Sequence, residues 1–237
     1  MTSEDLLKQF RAGNEEVLLA RYQADETLRF QWLDTSPPFL LAVKKGFLEL
    51  GHLLLGQGED PNVRNALGNT GLHLICTIRR ETRYALSASV VLEMGKLLAD
   101  SGCRCNQLNN WGQNAVNFGT DYFANYGVEG VGIVEFLLSL GEDPNLPDDQ
   151  GRAALHNLAY LEDYWLETYQ ALIDGGGDLR LRDGGKSTPL DLFQQATEYG
   201  SHIHAPRELY ESIRDLLNPE KPDSLGGEPD DFRLPSL

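Results

Sequence analysis

Arg182–Leu192 reads RDGGKSTPLDL, and two incompatible readings overlap in it. Gly185-Lys186-Ser187 is the end of a phosphate-binding loop, whereas Ser187-Thr188-Pro189-Leu190 is the start of a helix. A phosphate loop needs a second glycine five positions before Gly185, where backbone amides wrap the phosphates. That position holds Arg180, and a helix exit rather than an apolar strand precedes it. Thr188 before Pro189 fits the other reading. A hydroxyl there accepts an orphan N–H, and proline is tolerated in the first turn. The stretch is a helix boundary, and no nucleotide is expected.

The same grammar recurs along the chain. Leu53–Leu74 (LLLGQGEDPNVRNALGNTGLHL), Leu97–Phe118 (LLADSGCRCNQLNNWGQNAVNF), Leu137–Leu158 (LLSLGEDPNLPDDQGRAALHNL) and Leu172–Leu192 (LIDGGGDLRLRDGGKSTPLDL) align. Each runs from an apolar pair through a glycine and a short polar hairpin to a new apolar helix start. The anchors Asn62, Asn106, Asn145 and Arg180 lie 44, 39 and 35 residues apart. Glycine after the apolar pair supplies a left-handed helix end, and Asp-Pro-Asn punctuation makes a tight turn. One such helix pair cannot bury its own apolar face, so the units must stack.

These units resemble ankyrin repeats. Gly68–Leu74 (GNTGLHL), Gly151–Leu158 (GRAALHNL) and Ser187–Leu192 (STPLDL) match the family's T-P-L-H helix start. Gly46–Asn62 (GFLELGHLLLGQGEDPN) matches its second helix and exit, while Leu137–Asn145 and Gly175–Leu179 match the end of that helix. The resemblance implies an all-α solenoid of about five to six helix pairs. It covers residues 1–218 as one domain, with an N-terminal capping pair over about 3–34. It also implies that His73 and His156 hydrogen-bond neighbouring backbone and link repeats. The implied function is protein binding on a concave face built from hairpin fingers and first helices.

Against a period of about 33 residues, the spacings leave surpluses of about 11, 6 and 2. They fall in TIRRETRYALSA, GTDYFANYGVEGVG and AYLEDYW, so elongated helices or ordered loops are expected along one edge. Residues 219–237 form a tail rich in Pro, Gly and acid, read as disordered or loosely docked.

Composition narrows the partner. Lys plus Arg total 20 and Asp plus Glu 36, a net charge of −16. Such a field repels phosphate and argues against nucleic acid, while it favours a basic protein partner. The start MTSEDLLKQF is acidic and amphipathic, with no basic start and apolar run, and no apolar stretch reaches membrane-spanning length. Three cysteines form no disulfide framework and fit a reducing cytoplasm. Cys103 and Cys105 read as packed thiols, as does Cys76, because no second Cys or His pair accompanies them at zinc spacing. His202 and His204 are two ligands where a site needs more. No metal, cofactor or catalytic residue is expected, and the chain reads as a non-enzymatic monomer.

Candidate partner-binding residues fall in two groups. At the fingers stand Trp111 with Asn109 and Asn110, then Asp148, Asp149 and Asp183, beside Glu59-Asp60, Glu142-Asp143 and Asp178, which together predict an acidic face. Along the insert edge, Tyr122 and Tyr126 lie beside Tyr160, Tyr164 and Trp165, as ordering contacts or a competing surface. The sharper expectation is an inhibitory binder of a basic enzyme or toxin, similar to bacterial immunity-type ankyrin proteins. A general regulator or scaffold remains the alternative.

Overall fold

The computed structural model describes residues 2–77, 88–123, 128–160, 166–199 and 207–220. Among these residues twelve α-helices follow in order: α1 (Ser3–Ala12), α2 (Glu15–Ala24), α3 (Pro38–Lys45), α4 (Leu48–Gly56), α5 (Gly71–Ile75), α6 (Ala88–Asp100), α7 (Ala115–Phe123), α8 (Val128–Ser139), α9 (Ala154–Tyr160), α10 (Leu166–Asp174), α11 (Pro189–Tyr199) and α12 (Arg207–Leu216). A 3-10 turn, Glu26–Phe30, follows α2. Among the described residues there is no strand, only an isolated bridge between Leu33 and Ser36.

Local chemistry sets the helix ends. Thr2 and Asp5 form a reciprocal capping box at α1, which closes on Gly13 at φ 79°. At α11 the Thr188 hydroxyl accepts the Asp191 amide (3.2 Å), and the Asp191 carboxylate accepts the Thr188 amide (2.9 Å). That capping box settles Arg182–Leu192 as a helix start. The chain leaves α4, α6, α8 and α10 through Gly58, Gly102, Gly141 and Gly176, at φ 90°, 84°, 97° and 93°. Only glycine adopts this region without strain, so it is where the helices stop. Helix α3 departs from the pattern: Pro37 and Pro38 start it with no side-chain cap.

Odd-numbered helices stack in one row and even-numbered helices in a second, and each odd helix packs against the even helix that follows it. Among the described residues the fold is therefore an all-α ankyrin-type solenoid of six helix pairs. Its core runs the length of the stack through Phe10, Phe39, Leu50, Leu54, Met94, Leu98, Ile133, Leu137, Leu155, Tyr169, Leu172, Phe193 and Ile213. Each fully buried aliphatic side chain contributes about 1.5–3 kcal/mol. Tyr169 stands edge-on to Phe193, which stacks on Tyr210, so the aromatic core reaches into α12.

Candidate functional site

Between units the chain makes four hairpin turns headed by Asn65, Asn109, Asp148 and Asp183. In each, the head residue's amide donates to the carbonyl four residues on: Asn69, Gln113, Arg152 and Ser187. The head side chain then accepts amides from inside the turn. Asn109 Oδ1 takes those of Trp111 (2.9 Å) and Gln113 (3.0 Å), and Asp148 Oδ1 takes those of Gln150 (2.8 Å) and Arg152 (2.9 Å). Asn and Asp are the residues that close turns this way.

The turns are joined tip to tip. Ala66 N–H donates to Thr35 O (2.8 Å), Asn110 to Leu67 (3.0 Å), Asp149 to Trp111 (3.0 Å) and Gly184 to Gln150 (2.9 Å). Gly68, Gly112 and Gly151 lie at φ 76°, 74° and 75°, where a Cβ would come within 2.9, 2.9 and 2.6 Å of the next turn's backbone nitrogen. Glycine is required there twice over, by conformation and by space. Lys186 occupies the matching position in the last turn at φ 68°, with no described turn beyond it.

A second set of contacts clamps each unit to the next. Asn62 accepts the Arg104 amide (2.7 Å) and donates to Gly102 O (3.3 Å). Asn106 does the same with Asp143 (2.7 Å) and Gly141 (2.9 Å), and Asn145 with Asp178 (2.7 Å) and Gly176 (2.8 Å). Arg180, the fourth anchor, instead donates to Pro219 O (3.1 Å).

The histidines carry out the linking role that the resemblance implied. His73 Nδ1 accepts the Thr70 amide (3.2 Å) and Nε2–H donates to Gln113 O (2.9 Å) in the next unit. His156 accepts from Ala153 (3.3 Å) and reaches Leu181 O (3.0 Å) and Ser187 O (3.2 Å). Burial lowers both, and His73 is brought down to about 4 against the lifting effect of its bond to Gln113. Both rings are neutral at pH 7. In the intervening unit Asn117 does this work, donating to Leu146 O (3.3 Å) and Arg152 O (2.8 Å). Aligning AVNF with GLHL would have found it.

Two expectations about the binding face need correction. Gly68–Thr77, Asn114–Thr120 and Ala153–Ala159 are buried throughout, so the first helices of these units offer no open concave surface. In these units the finger tips before the first helices stay exposed. The fingers are also less acidic than their composition suggests, although Asp60, Asp149 and Asp178 stay exposed. Asp148 and Asp183 turn inward as turn closers, and Asp183 lies 3.8 Å from Arg152. Glu142 is buried, accepting the amides of Asn106 (3.0 Å) and Ala115 (3.2 Å). Burial holds its carboxyl above the usual range while those amides pull it down. Arg64, Arg152, Arg182 and Lys186 share the same fingers. Exposed acid lies instead on the even helices and their exits, at Glu49, Asp60, Glu93, Asp100, Glu135, Asp174 and Asp178.

The tips nevertheless collect exposed apolar surface. Trp111 is 48% exposed, and Leu67, in the matching slot of the adjoining turn, is 45% exposed. Leu108 is exposed on the same finger as Trp111, and Phe30 and Trp32 are exposed just before the Leu33–Ser36 turn, where Thr35 accepts the Ala66 amide. Asn110 and Asp149 flank Trp111 and are exposed. Asn109 lies beneath them, 6% exposed, and shapes the turn rather than facing out. Leu67 was legible by aligning NALG with NNWG. Of the aromatic edge, Tyr126, Tyr164 and Trp165 lie outside the described residues, as do His202, His204 and residues 221–237. Tyr122 and Tyr160 end α7 and α9.

The cysteines sit as packed thiols. Cys76 is fully buried, Cys105 Sγ donates to Leu140 O (3.0 Å), and burial lifts Cys103 to about 11. Among the described residues, no three metal-binding side chains gather, and no helix is long and apolar enough to cross a membrane.

No family model matches the chain. Over 110 residues, 45% of its length, it is 28% identical to an ankyrin repeat protein of Acanthamoeba polyphaga mimivirus. The chain spans about a fifth of that relative, since the match covers 19% of it. The similarity is partial and agrees with the stacked helix pairs: an ankyrin-like fold, of the kind that serves as a protein-interaction module.

Proposed function

We propose that this chain binds another protein through its finger tips, with Trp111 as the anchor. The observation that carries this reading is where Trp111 sits. Its amide is held by Asn109 of its own turn and its carbonyl by Asp149 of the next, while its indole stands half exposed beside Leu67 and Leu108. A large aromatic on a rigid backbone loses little freedom on binding and makes a strong interface anchor.

The net charge of −16 supports a basic partner, steered by the long-range field and met locally by Asp149. The finer reading is an inhibitory binder of a basic enzyme or toxin, in the manner of an immunity protein, acting as a monomer in the cytoplasm. A general regulator would use the same surface, and a basic toxin encoded beside this chain favours the inhibitor. The aromatic edge from Tyr122 to Trp165 is the rival surface.

Affinity purification with the full chain as bait, followed by titration against the recovered partner, tests the assignment. Trp111→Ala is expected to weaken binding by about 2 kcal/mol or more. Asp149→Lys is expected mainly to slow association, with the slowing shrinking as salt rises. Normal binding by both variants, with loss on substituting Tyr160 or Trp165, would move the site to the insert edge.

A further inference from the structure

The turn headed by Asn109 carries two opposite charges that its neighbours supply. From the turn before it, Arg64 donates to Leu108 O (2.6 Å) and to Gln107 Oε1 (2.6 Å). From the turn after it, the Asp149 amide donates to Trp111 O (3.0 Å). The Asp149 carboxylate lies over Gly112, 2.6 Å from where a Cβ there would stand. On this same turn the side chains of Leu108 and Trp111 stand exposed. Arg64 and Asp149 are exposed too, and neither forms an ion pair among the described residues.

Stacking requires neither charge. The four tip-to-tip bonds repeat one geometry, so matching positions act as internal controls. Three residues before the accepting carbonyls of Thr35, Leu67, Trp111 and Gln150 stand Trp32, Arg64, Leu108 and Pro147. The donating amides belong to Ala66, Asn110, Asp149 and Gly184. Arg64 is the one charged residue of the first set and Asp149 the one charged residue of the second. The same bonds form where both positions are neutral. Arg64 spends two of its five N–H donors on Leu108 and Gln107, which holds the guanidinium in place and leaves the rest open.

We infer that the Asn109 turn receives a protein segment of mixed charge. An apolar side chain seats on Leu108 and Trp111, a carboxylate meets Arg64, and a basic side chain meets Asp149. The net charge of −16 attracts a basic molecule at long range, but the segment in contact is not uniformly basic. The guanidinium fork matches a carboxylate, and a lysine or arginine placed there meets like charge instead. Opposite charges beside one anchor also fix which way round the segment lies. This rests on the finger-tip reading above and adds Arg64 to it as a residue that sets specificity.

Selection of random dodecapeptides displayed on phage tests it, with the full chain, Trp111→Ala, Arg64→Glu, Arg64→Gln and Asp149→Lys as targets. Circular dichroism first checks that each variant keeps its melting transition. The expected consensus has an apolar core with Asp or Glu on one side and Lys or Arg on the other. Trp111→Ala should cut recovery of those peptides about tenfold or more. Arg64→Glu should turn the acidic position basic, and Asp149→Lys should turn the basic position acidic, each leaving the other position unchanged. Loss of a clamp between turns would weaken recovery without reversing a sign. Should Arg64→Glu fail to fold, Arg64→Gln should still erase the acidic preference.

A uniformly basic consensus, or an acidic position indifferent to both Arg64 variants, overturns the inference while finger-tip binding stands. So does a basic position indifferent to Asp149→Lys, and so does absence of enrichment over uncoated support. Recovery unaffected by Trp111→Ala overturns both readings. A Trp111-dependent dimer in sedimentation velocity makes a second copy of this chain the occupant, and also overturns the inference.

Discussion

The interior units and the last unit fill the same repeat positions with different chemistry. Inside the stack the anchor is Asn62, Asn106 or Asn145, the turn glycine is Gly68, Gly112 or Gly151, and the linking side chain is His73, Asn117 or His156. In the last unit these become Arg180, Lys186 and Asp191. Each interior residue spends its polar groups or its lack of a Cβ on the unit that follows. Where no such unit follows among the described residues, charged side chains take these positions. The contrast also isolates what stacking does not use. At the interior tips, the side chains of Leu67 and Trp111 stand half exposed.

Paired substitutions at matching positions test this contrast. The largest effect is expected in the packed face. Leu155→Ala should destabilise by about 2–5 kcal/mol through the cavity it leaves between stacked helices. The matching Leu190→Ala, half-buried in the last unit, should lose less than about 2 kcal/mol. Denaturant melts of the two variants measure the difference, and equal losses would erase the distinction.

Next is acid sensitivity. His73 stays neutral in the folded chain down to about 4 but titrates near 6.5 when unfolded. The unfolded state therefore binds more protons in that window, so this residue's contribution to stability falls as pH drops from about 6.5 to about 4. The loss is on the order of 3 kcal/mol at the low end. His73→Asn, which copies the neighbouring Asn117, should flatten that part of the curve. His156, lowered in the same direction, should leave a smaller slope in the variant. Glu142, raised by burial, acts in the opposite sense in both proteins and cancels from the comparison.

Substitution at the turn glycines should change sign between the two regions. Gly151→Ala, with its Cβ driven against Gly184, is expected to destabilise by about 2 kcal/mol. Lys186→Gly should stabilise by up to about 1 kcal/mol, because it relieves a left-handed conformation with no turn to clash against. Thermal melts at one pH report both.

A smaller difference is expected at the anchors. Asn145→Ala removes two bonds to the next exit and should cost about 1–2 kcal/mol. Arg180→Ala removes one exposed contact to Pro219 and should fall within about 0.5 kcal/mol. Equal effects would mean that the interior clamp is no stronger than the terminal one.

Much of the fold was legible because its signals are local. Thr188-Pro189, the exit glycines and the Asp-Pro-Asn punctuation each state a backbone conformation without reference to distant residues. The histidine links were legible through resemblance, although the sequence reading passed over Asn117 because an amide does not look like an imidazole. The acidity of the finger face was overstated for a physical reason. Residue type shows charge but not direction, and Asp148, Asp183 and Glu142 point their oxygens at backbone amides. The buried first helices were equally hidden, since helical pattern alone cannot say what covers the outer face. Asn109 followed the same logic: its turn-closing bonds depend on geometry that only the folded turn shows.

The finger-tip assignment separates binding from stability, and Trp111→Ala tests that separation most directly. The variant should melt within about 0.5 kcal/mol of the unaltered chain, because the indole is half exposed and lies outside the buried core. Its affinity for the recovered protein partner should fall by about 2 kcal/mol or more, a loss of about thirtyfold. A destabilised variant, or one that binds its partner as tightly as before, would contradict the account.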